Sequence, residues 1–308
     1  MSIITATMKR IVFVCRWAVV AALFMTAIAC TAEPEGKTDE DSVRIPINIS
    51  MGMWTKVTDV AYEHGDQTGI YVVNNTDSGE SGTLVNSGNH VDNMRFTYDG
   101  VWTPDSEIYW KDKETKADFY CYYPYGTPTD VAAYPFSVQA DQSSLADYKA
   151  SEFLWGKATG MSPTVDAVPI MTNRSMSNML IYLQPGNGFT EDTFAAASKS
   201  VRICNVKTDA TIDLRTGVAV ATGTAAEVTP YNEGEYYRAL IVPQTVADGQ
   251  NLITVTVDDV EYTFAKGFTF DPNVQHKFTI KVNKSGGGVD ISIGDWESDE
   301  EDHGGSAE

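Results

Sequence analysis

Leu252-Ile-Thr-Val-Thr-Val257 and Val260-Glu-Tyr-Thr-Phe264 are two short runs in which apolar and polar residues alternate, joined only by Asp258-Asp259. An alternation with a period of two is typical of a half-buried β-strand. Two turn-forming residues between such runs predict a tight β-hairpin, although the glycine that favours this connection is absent. This hairpin is the clearest local indication of the fold.

Short runs of the same kind follow one another along most of the chain, with turn-forming residues between them. Only residues 143–149 and 190–197 suit short helices. Many short strands with frequent turns are typical of β-sandwiches and argue against a parallel α/β enzyme scaffold. A chain of this length exceeds one comfortable core, so two domains are expected. The sequence therefore predicts an all-β protein with two tandem antiparallel β-sandwiches, residues 43–172 and 173–284.

The first predicted strand covers residues 43–50. Its two alternating sets are Val43, Ile45, Ile47 and Ile49 on one side and Arg44, Pro46, Asn48 and Ser50 on the other. This period of two predicts one buried face and one exposed face. Pro46 has no N–H to donate to a neighbouring strand, so the strand is expected at the edge of its sheet.

The N-terminus has the pattern of an export signal. Basic residues begin it, residues 17–29 are almost wholly apolar, and small residues precede Cys30. This pattern resembles a bacterial lipoprotein signal, in which the cysteine thiol takes a diacylglyceryl group and becomes the new N-terminus; an uncut helix is the alternative. We expect residues 1–29 to be the signal peptide. Residues 30–42, which are polar and acidic, are expected to form a flexible tether.

The charge of the chain excludes some classes of partner. Its formal net charge is −20, and loss of residues 1–29 would take this to −23, since three basic residues leave and no acidic one does. An acidic surface repels nucleic-acid phosphates and anionic lipid headgroups. We therefore expect no nucleic-acid partner, and any membrane attachment would depend on the lipid at Cys30.

No catalytic or metal-binding pattern is evident. The four histidines are not paired with each other or with cysteine at a ligand spacing, and no nucleophile elbow, P-loop or dinucleotide fingerprint occurs. The sequence predicts no enzyme activity, no cofactor and no metal site. Cys121 and Cys204 are expected to be buried free thiols, with a disulfide between the domains as the alternative.

Aromatic residues are concentrated in residues 117–125, which include Phe119-Tyr-Cys-Tyr-Tyr123. One interpretation is an exposed platform on which sugars stack. The other is a core strand, with Phe119, Cys121 and Tyr123 on the inward face and Tyr120 and Tyr122 on the other face. The second interpretation is favoured because aromatic residues are common in strands.

The C-terminal residues 285–308 combine a glycine hinge, a strand-like run and an acidic tail. Three consecutive glycines, residues 286–288, precede the run Val289-Asp-Ile-Ser-Ile293. A strand on such a hinge could reach beyond its own domain, or it could fold back as an ordinary last strand. The spacing of the residues leaves both alternatives open.

The order of several motifs resembles the fimbrillin-like lipoproteins of the Bacteroidales, the type V pilin family. The motifs are Tyr62–Tyr71, Ile108–Trp110, Ala117–Tyr125, Phe153–Gly156, Ile241–Thr245, Gln275–Ile280 and Ile293–Trp296. The chain departs from the usual pattern in residues 172–177, where a histidine is expected before the serine.

The resemblance implies two transthyretin-like domains and a structural subunit of a surface fimbria at the outer membrane. In such proteins a trypsin-like protease cuts after a basic residue, here expected to be Lys56, and the first strand leaves. A strand of another fimbrial subunit then fills the groove. The residues implied are Val43, Ile45, Ile47 and Ile49 as the displaced strand, and Val289, Ile291, Ile293 and Trp296 as the candidate donor.

Two further points stay open in the sequence. The chain could be a shaft, tip or anchor subunit of a fimbria. The alternative function is a monomeric surface lipoprotein, or a tip adhesin, that binds glycans or host ligands through exposed aromatic residues. Cleavage by trypsin followed by a ladder of oligomers would favour the pilin, whereas a stable monomer with glycan affinity would favour the alternative.

Overall fold

A computed structural model describes residues 44–53, 61–284 and 289–295 of the chain. The predicted signal peptide and tether, Cys30, Val43, Lys56 and Trp296 lie outside the described residues. The signal peptide, the tether and the C-terminal tail therefore stay predictions. The division into two domains at residues 172–173 also stays a prediction. No helix in the described part of the chain is both long and apolar enough to span a membrane.

The elements that precede residue 175 are mostly strands. They are β1 Ile49–Met53, β2 Gln67–Asn74, β3 Val91–Tyr98, β4 Trp102–Pro104, β5 Ala117–Tyr123, β6 Tyr134–Ser137, α1 Leu145–Ala150, β7 Leu154–Met161 and β8 Val168–Arg174. Seven of the strands form one sheet in the order β1-β8-β7-β5-β2-β3-β4. Only β1 runs parallel to its neighbour in this sheet, β8.

The remaining elements are again almost all strands. They are β9 Ser177–Pro185, α2 Glu191–Ala196, β10 Lys199–Asp213, β11 Val218–Val228, β12 Tyr231–Asn232, β13 Tyr237–Ile241, β14 Gln244–Val246, β15 Ile253–Val257, β16 Val260–Phe264, β17 Phe268–Phe270, β18 Gln275–Val282 and β19 Val289–Asp295. One sheet has the order β11-β10-β15-β16, with β6 also paired to β10. A second has the order β12-β13-β9-β18-β19, and β14 pairs with β17. The predicted all-β class is confirmed.

The two short helices begin at the predicted places. Ser144 accepts a hydrogen bond from the Asp147 N–H and caps α1. Thr190 caps α2 and exchanges hydrogen bonds with Thr193 in a capping box. Such caps satisfy N–H groups that a helix leaves without partners in its first turn.

The seven-stranded sheet is buried on both faces. Ile70 and Phe119 pack on one face, in the core cluster that also holds Ile47 and Ile49. Tyr71 and Tyr122 pack on the other. A sheet covered on both sides explains why β5, apart from the buried Asp118, consists of apolar and aromatic residues on both of its faces.

The second face of this sheet is covered by residues from the later half of the chain. β10 is fifteen residues long, and its second half pairs with both β6 and β11. Ala210 and Ile212 in that half belong to the same core cluster as Tyr71 and Tyr122. Residues on both sides of the predicted boundary therefore share one core, in addition to the cluster around Ile181, Ile203 and Phe278.

The hairpin predicted over residues 252–264 is present as β15 and β16, with Val257 opposite Val260. Asp258 and Asp259 both have positive φ angles, 47° and 66°. These angles are typical of a type I′ turn, in which asparagine and glycine are preferred because other side chains are strained there.

Replacing Asp259 with glycine should therefore stabilise the protein by about 0.5–1 kcal/mol, the cost of holding a non-glycine residue in the left-handed region. Chemical denaturation would measure the change in the free energy of unfolding. Asp259→Ala is the matched control, because it removes the carboxylate but keeps Cβ. An equal gain from both variants would mean that charge, not backbone strain, limits this turn.

Candidate strand-exchange site

The first strand is held on two sides by backbone hydrogen bonds. The Ile47 N–H donates to the Ile108 carbonyl, and the Trp110 N–H donates to the Ile45 carbonyl, each at 2.9 Å. Farther along, the Val168 N–H donates to the Asn48 carbonyl at 2.8 Å. From Ile49 to Met53 the segment then pairs in parallel with β8, Ile49 opposite Val168 and Met53 opposite Thr172.

The regular strand is therefore later than predicted. The sequence predicts a strand over residues 43–50, but β1 extends from Ile49 to Met53. Residues 45–47 are instead extended along residues 108–110, with Pro46 bridged to Tyr109. The change of partner within one extended segment divides it into two parts. As Pro46 predicts, β1 lies at the edge of its sheet.

The isoleucines of this segment face the core. Ile47 and Ile49 are 2% and 5% exposed, whereas Asn48 and Ser50 are exposed, so the alternation seen in the sequence is also present in the structure. Ile45 is half-buried against the same core. Full burial of one such side chain stabilises a protein by about 1.5–3 kcal/mol. Removal of the segment would therefore expose a continuous apolar groove.

The walls of this groove come from β8, β5 and residues 108–110. Val168 and Ile170 on β8 are fully buried, as is Phe119 on β5. Met51 lies over β5, with its Sδ 3.7 Å from the Sγ of Cys121. Without the first segment, the outer edge of β8 would present unpaired backbone groups beside these apolar side chains. An edge of this kind is a template for an incoming strand.

Two polar side chains fix the end of β1. The Thr172 hydroxyl donates to the Gly52 carbonyl at 3.1 Å, and the Tyr62 hydroxyl lies 3.0 Å from the same Thr172 oxygen. Because the Thr172 proton is used on Gly52, Tyr62 is the donor in the second bond. The Tyr62 ring packs edge-on against Trp102, with ring centroids 4.9 Å apart. Burial raises the pKa of Tyr62 far above its usual value, so it remains a donor at all ordinary pH.

Tyr62→Phe should lower the free energy of unfolding by about 1 kcal/mol, because the Thr172 oxygen loses its buried donor while the aromatic packing is kept. Urea denaturation would measure this. Tyr98→Phe is the matched control, since it removes a hydroxyl from a neighbouring ring that also packs on Trp102. Equal losses in the two variants would contradict a specific role for the bond to Thr172.

At the end of β8, Arg174 forms a buried ion pair with Glu152, with the Arg174 Nε 2.7 Å from a Glu152 oxygen. Burial raises the pKa of Glu152, and Arg174 opposes that rise. The Arg174 backbone N–H also donates to the side chain of Asn273, which precedes β18. This contact links the end of β8 to the loop before β18.

The C-terminal strand lies folded back on its own chain. β19 pairs antiparallel with β18, with Val289 opposite Val282, Ile291 opposite Ile280 and Ile293 opposite Phe278. It is the outermost strand of its sheet. The sequence left open whether this strand folds back or reaches beyond its own domain. In the structure it folds back as the last strand of its sheet. Its donation to another chain stays a prediction.

The aromatic residues of β5 form core and not a surface platform. Phe119 and Cys121 pack on one face of the sheet, Tyr120 and Tyr122 on the other, and all four are buried. Tyr123 is half-buried, and its hydroxyl donates to Asp66 at 3.1 Å. The core interpretation is confirmed for this strand, but the expectation of a single inward face is wrong, because the sheet is covered on both sides and Tyr120 and Tyr122 are buried too. The platform on which the glycan-binding alternative depended is not exposed.

Cys121 and Cys204 are both buried and free, so a disulfide between them is excluded in this structure. Burial raises the pKa of the Cys121 thiol to about 12. Such a thiol is unreactive at neutral pH. Within the described ranges, no three His, Cys, Asp or Glu side chains are grouped in a way that could hold a metal ion.

The structure thus brings part of the predicted site together. Ile45, Ile47 and Ile49 line one groove, but Lys56 lies outside the described residues, between Met53 and the loop that carries Tyr62. Sequence reasoning missed Thr172 and Tyr62. Tyr62 belongs to a recognised motif, but nothing in that motif indicates its partner, and Thr172 has no local signal at all.

Comparison with known proteins finds relatives of similar sequence and structures of similar fold. A relative named "Putative fimbrium subunit Fim1C", from Bacteroides uniformis, is 26% identical over 298 residues, which cover 91% of this chain and 94% of the relative. The fold is similar to a crystal structure titled as a putative cell adhesion protein of Bacteroides uniformis, with a TM-score of 0.63, 22% identity, and coverage of 84% of this chain and 99% of that one.

A second crystal structure, titled as a putative cell adhesion protein of Bacteroides ovatus, has a TM-score of 0.64 and 16% identity, covering 82% of this chain and 98% of that one. At these identities the structures show the fold alone. The model of the fimbrillin-like family matches residues 55–296, which is most of the chain. The chain therefore belongs to the fimbrillin-like family.

Proposed function

We propose that this protein is a structural subunit of a cell-surface fimbria that is exported as a lipoprotein on Cys30. A trypsin-like protease cuts after Lys56, the first segment leaves, and the strand of another subunit takes its place. Family membership supports the fimbrial part of this proposal. Lipid attachment at the outer membrane, cleavage after Lys56 and strand exchange are further parts of the proposal that family membership does not show.

One observation carries the exchange mechanism. An edge segment, Arg44–Met53, supplies buried isoleucines to the core and lies directly before Lys56. Cutting the chain there would separate the segment from the rest of the protein without breaking any of the other strands. The segment would then be held only by its own contacts, and a competing strand could replace it.

Trypsin treatment of the purified chain tests the proposal. We expect loss of the residues up to Lys56, measured by intact mass, followed by a ladder of oligomers on a gel run without boiling. A cleaved protein that stays a monomer at high concentration would contradict the proposal. The glycan-binding alternative predicts that monomer, together with measurable affinity on a glycan array.

A further inference from the structure

The strand β11 lies at the edge of its sheet and is eleven residues long. It pairs with β10 on one side, and no strand of the described residues pairs with its other side. Such an edge presents unpaired N–H and C=O groups, which are a template for another strand. Proteins commonly protect an edge with lysine, proline or a bulge. β11 has no lysine and no proline, and residues 216–226 carry no charge.

A bulge limits the regular part of this edge. The register with β10 shifts between Thr222 and Ala225, and Gly223 has a positive φ angle of 72°. A bulge bends a strand and increases its twist, which prevents straight pairing beyond it. The part of the edge that can receive a regular partner strand is therefore residues 218–222, Val-Ala-Val-Ala-Thr.

Both faces of residues 218–222 suit an added strand. Val218 and Val220 point outward and are 56% and 57% exposed. Ala219 and Ala221 point the other way and pack, half-buried, against the core. Valine stabilises a sheet mainly through contact with the residue opposite it on the neighbouring strand. The alanines are small, so an added strand meets no large side chain on the inner face.

Opposite charges lie near the two ends of residues 218–222. Arg215 is exposed in the turn before them, where two of its nitrogens bond to Asp213. Asp209 on β10 is exposed near the other end, with its Oδ2 2.8 Å from the place that a Cβ on Gly223 would take. An antiparallel second copy, related by a two-fold axis at residue 220, brings each Arg215 toward the Asp209 of the other copy. Guanidinium has five N–H donors and can serve a second carboxylate.

We propose that residues 218–222 form an interface at which two copies of this chain pair edge to edge and antiparallel, with Val220 of each copy opposite the other. Val218 of each copy then faces Thr222 of the other. The occupant is a second copy because this register makes the edge complementary to itself in shape and in charge. The chain has a formal net charge of −20, so its copies repel one another over most of their surface and approach most easily at an uncharged edge.

This pairing adds a lateral contact to the proposed fimbrial subunit. Five paired residues bury less than the about 1,000 Å² expected of a stable interface, so two single molecules associate weakly. In a fibre the same contact is repeated, and its effect is multiplied by avidity. The contact does not depend on cleavage or strand exchange, because β11 belongs to a different sheet from β1 and β8.

Cysteine cross-linking of the uncut chain tests the register. Val220→Cys places a thiol on the two-fold axis, where directly opposite Cα atoms are about 4.5–5.5 Å apart, within the range that a disulfide spans. Val218→Cys is the matched control, because it changes the same residue type at equal exposure. In the proposed dimer the two copies of position 218 are offset by four residues, about 13 Å along the strands.

Two further substitutions, Cys15→Ser and Cys30→Ser, remove other thiols from both variants, while Cys121 and Cys204 are buried. Under mild oxidation, we expect the thiol at position 220 to give a covalent dimer at least tenfold faster than the thiol at position 218. Equal rates would overturn the pairing, and faster dimerisation through position 218 would overturn the register.

Sedimentation of the uncut, unaltered chain at rising concentration tests the same pairing without a cross-link. We expect a reversible dimer that Val220→Lys weakens at least tenfold, because each copy then brings a cation to the axis. Val220→Thr, which keeps the β-branch without a charge, should retain the dimer. Equal thermal unfolding of the variants would show that both are folded. A chain that stays monomeric, or a dimer that Val220→Lys does not weaken, would overturn the proposal.

Discussion

Replacing Lys56 with glutamine should abolish the oligomer ladder that trypsin produces, whereas Lys56→Arg should leave it unchanged. Trypsin-like proteases need a basic side chain before the scissile bond, and glutamine is similar in length without the charge. Without the cut, the segment Ile45–Met53 stays covalently attached and returns to its groove, because the effective concentration of a tethered strand is in the millimolar range for a short linker.

A cut elsewhere does not replace the one at Lys56. Arg44 is exposed, and trypsin can cleave after it. That cleavage leaves Ile47 and Ile49 attached to the rest of the chain, so the groove stays filled. Arg44→Gln is thus the matched control and should give a normal ladder. If Lys56→Gln still forms oligomers while its intact mass shows the first segment in place, release by this cut is not the trigger.

The features that could be predicted from the sequence are those that show as a local alternation of apolar and polar residues. The hairpin at residues 252–264 and the alternation of residues 45–50 are confirmed, because alternation directly reports which side of a strand is buried. It does not report the neighbouring strand. The first segment therefore has the predicted buried and exposed faces. Its regular pairing with β8 begins only at Ile49, since residues 45–47 lie against residues 108–110.

Long-range packing could not be predicted from the sequence. Nothing in the sequence of the second half of β10 indicates its packing partner, yet Ala210 and Ile212 cover the second face of the seven-stranded sheet. The contact between Tyr62 and Thr172 joins residues 110 positions apart. Neither has a local signature, because the same residue types are equally suited to many partners until the topology is fixed.

Ile49→Ala should affect the precursor and the assembled fibre differently. In the precursor Ile49 is 5% exposed within the N-terminal core, and truncation of a buried isoleucine costs about 2–5 kcal/mol. The precursor should therefore unfold at lower denaturant concentration. Its first segment should also leave faster after the cut, so the ladder should appear sooner. Denaturation of the uncut protein and the time course of oligomer formation measure the two effects.

The assembled oligomers, by contrast, should be as resistant to dissociation as those of the unaltered chain. Cleavage removes residue 49, and the groove is then filled by a strand that the substitution does not touch. Val168→Ala is the matched comparison, because Val168 is fully buried on β8 and stays in the groove before and after exchange. It should weaken precursor and oligomer alike, by about 1–3 kcal/mol. Oligomers of Ile49→Ala that dissociate as readily as those of Val168→Ala would mean that the first segment never leaves.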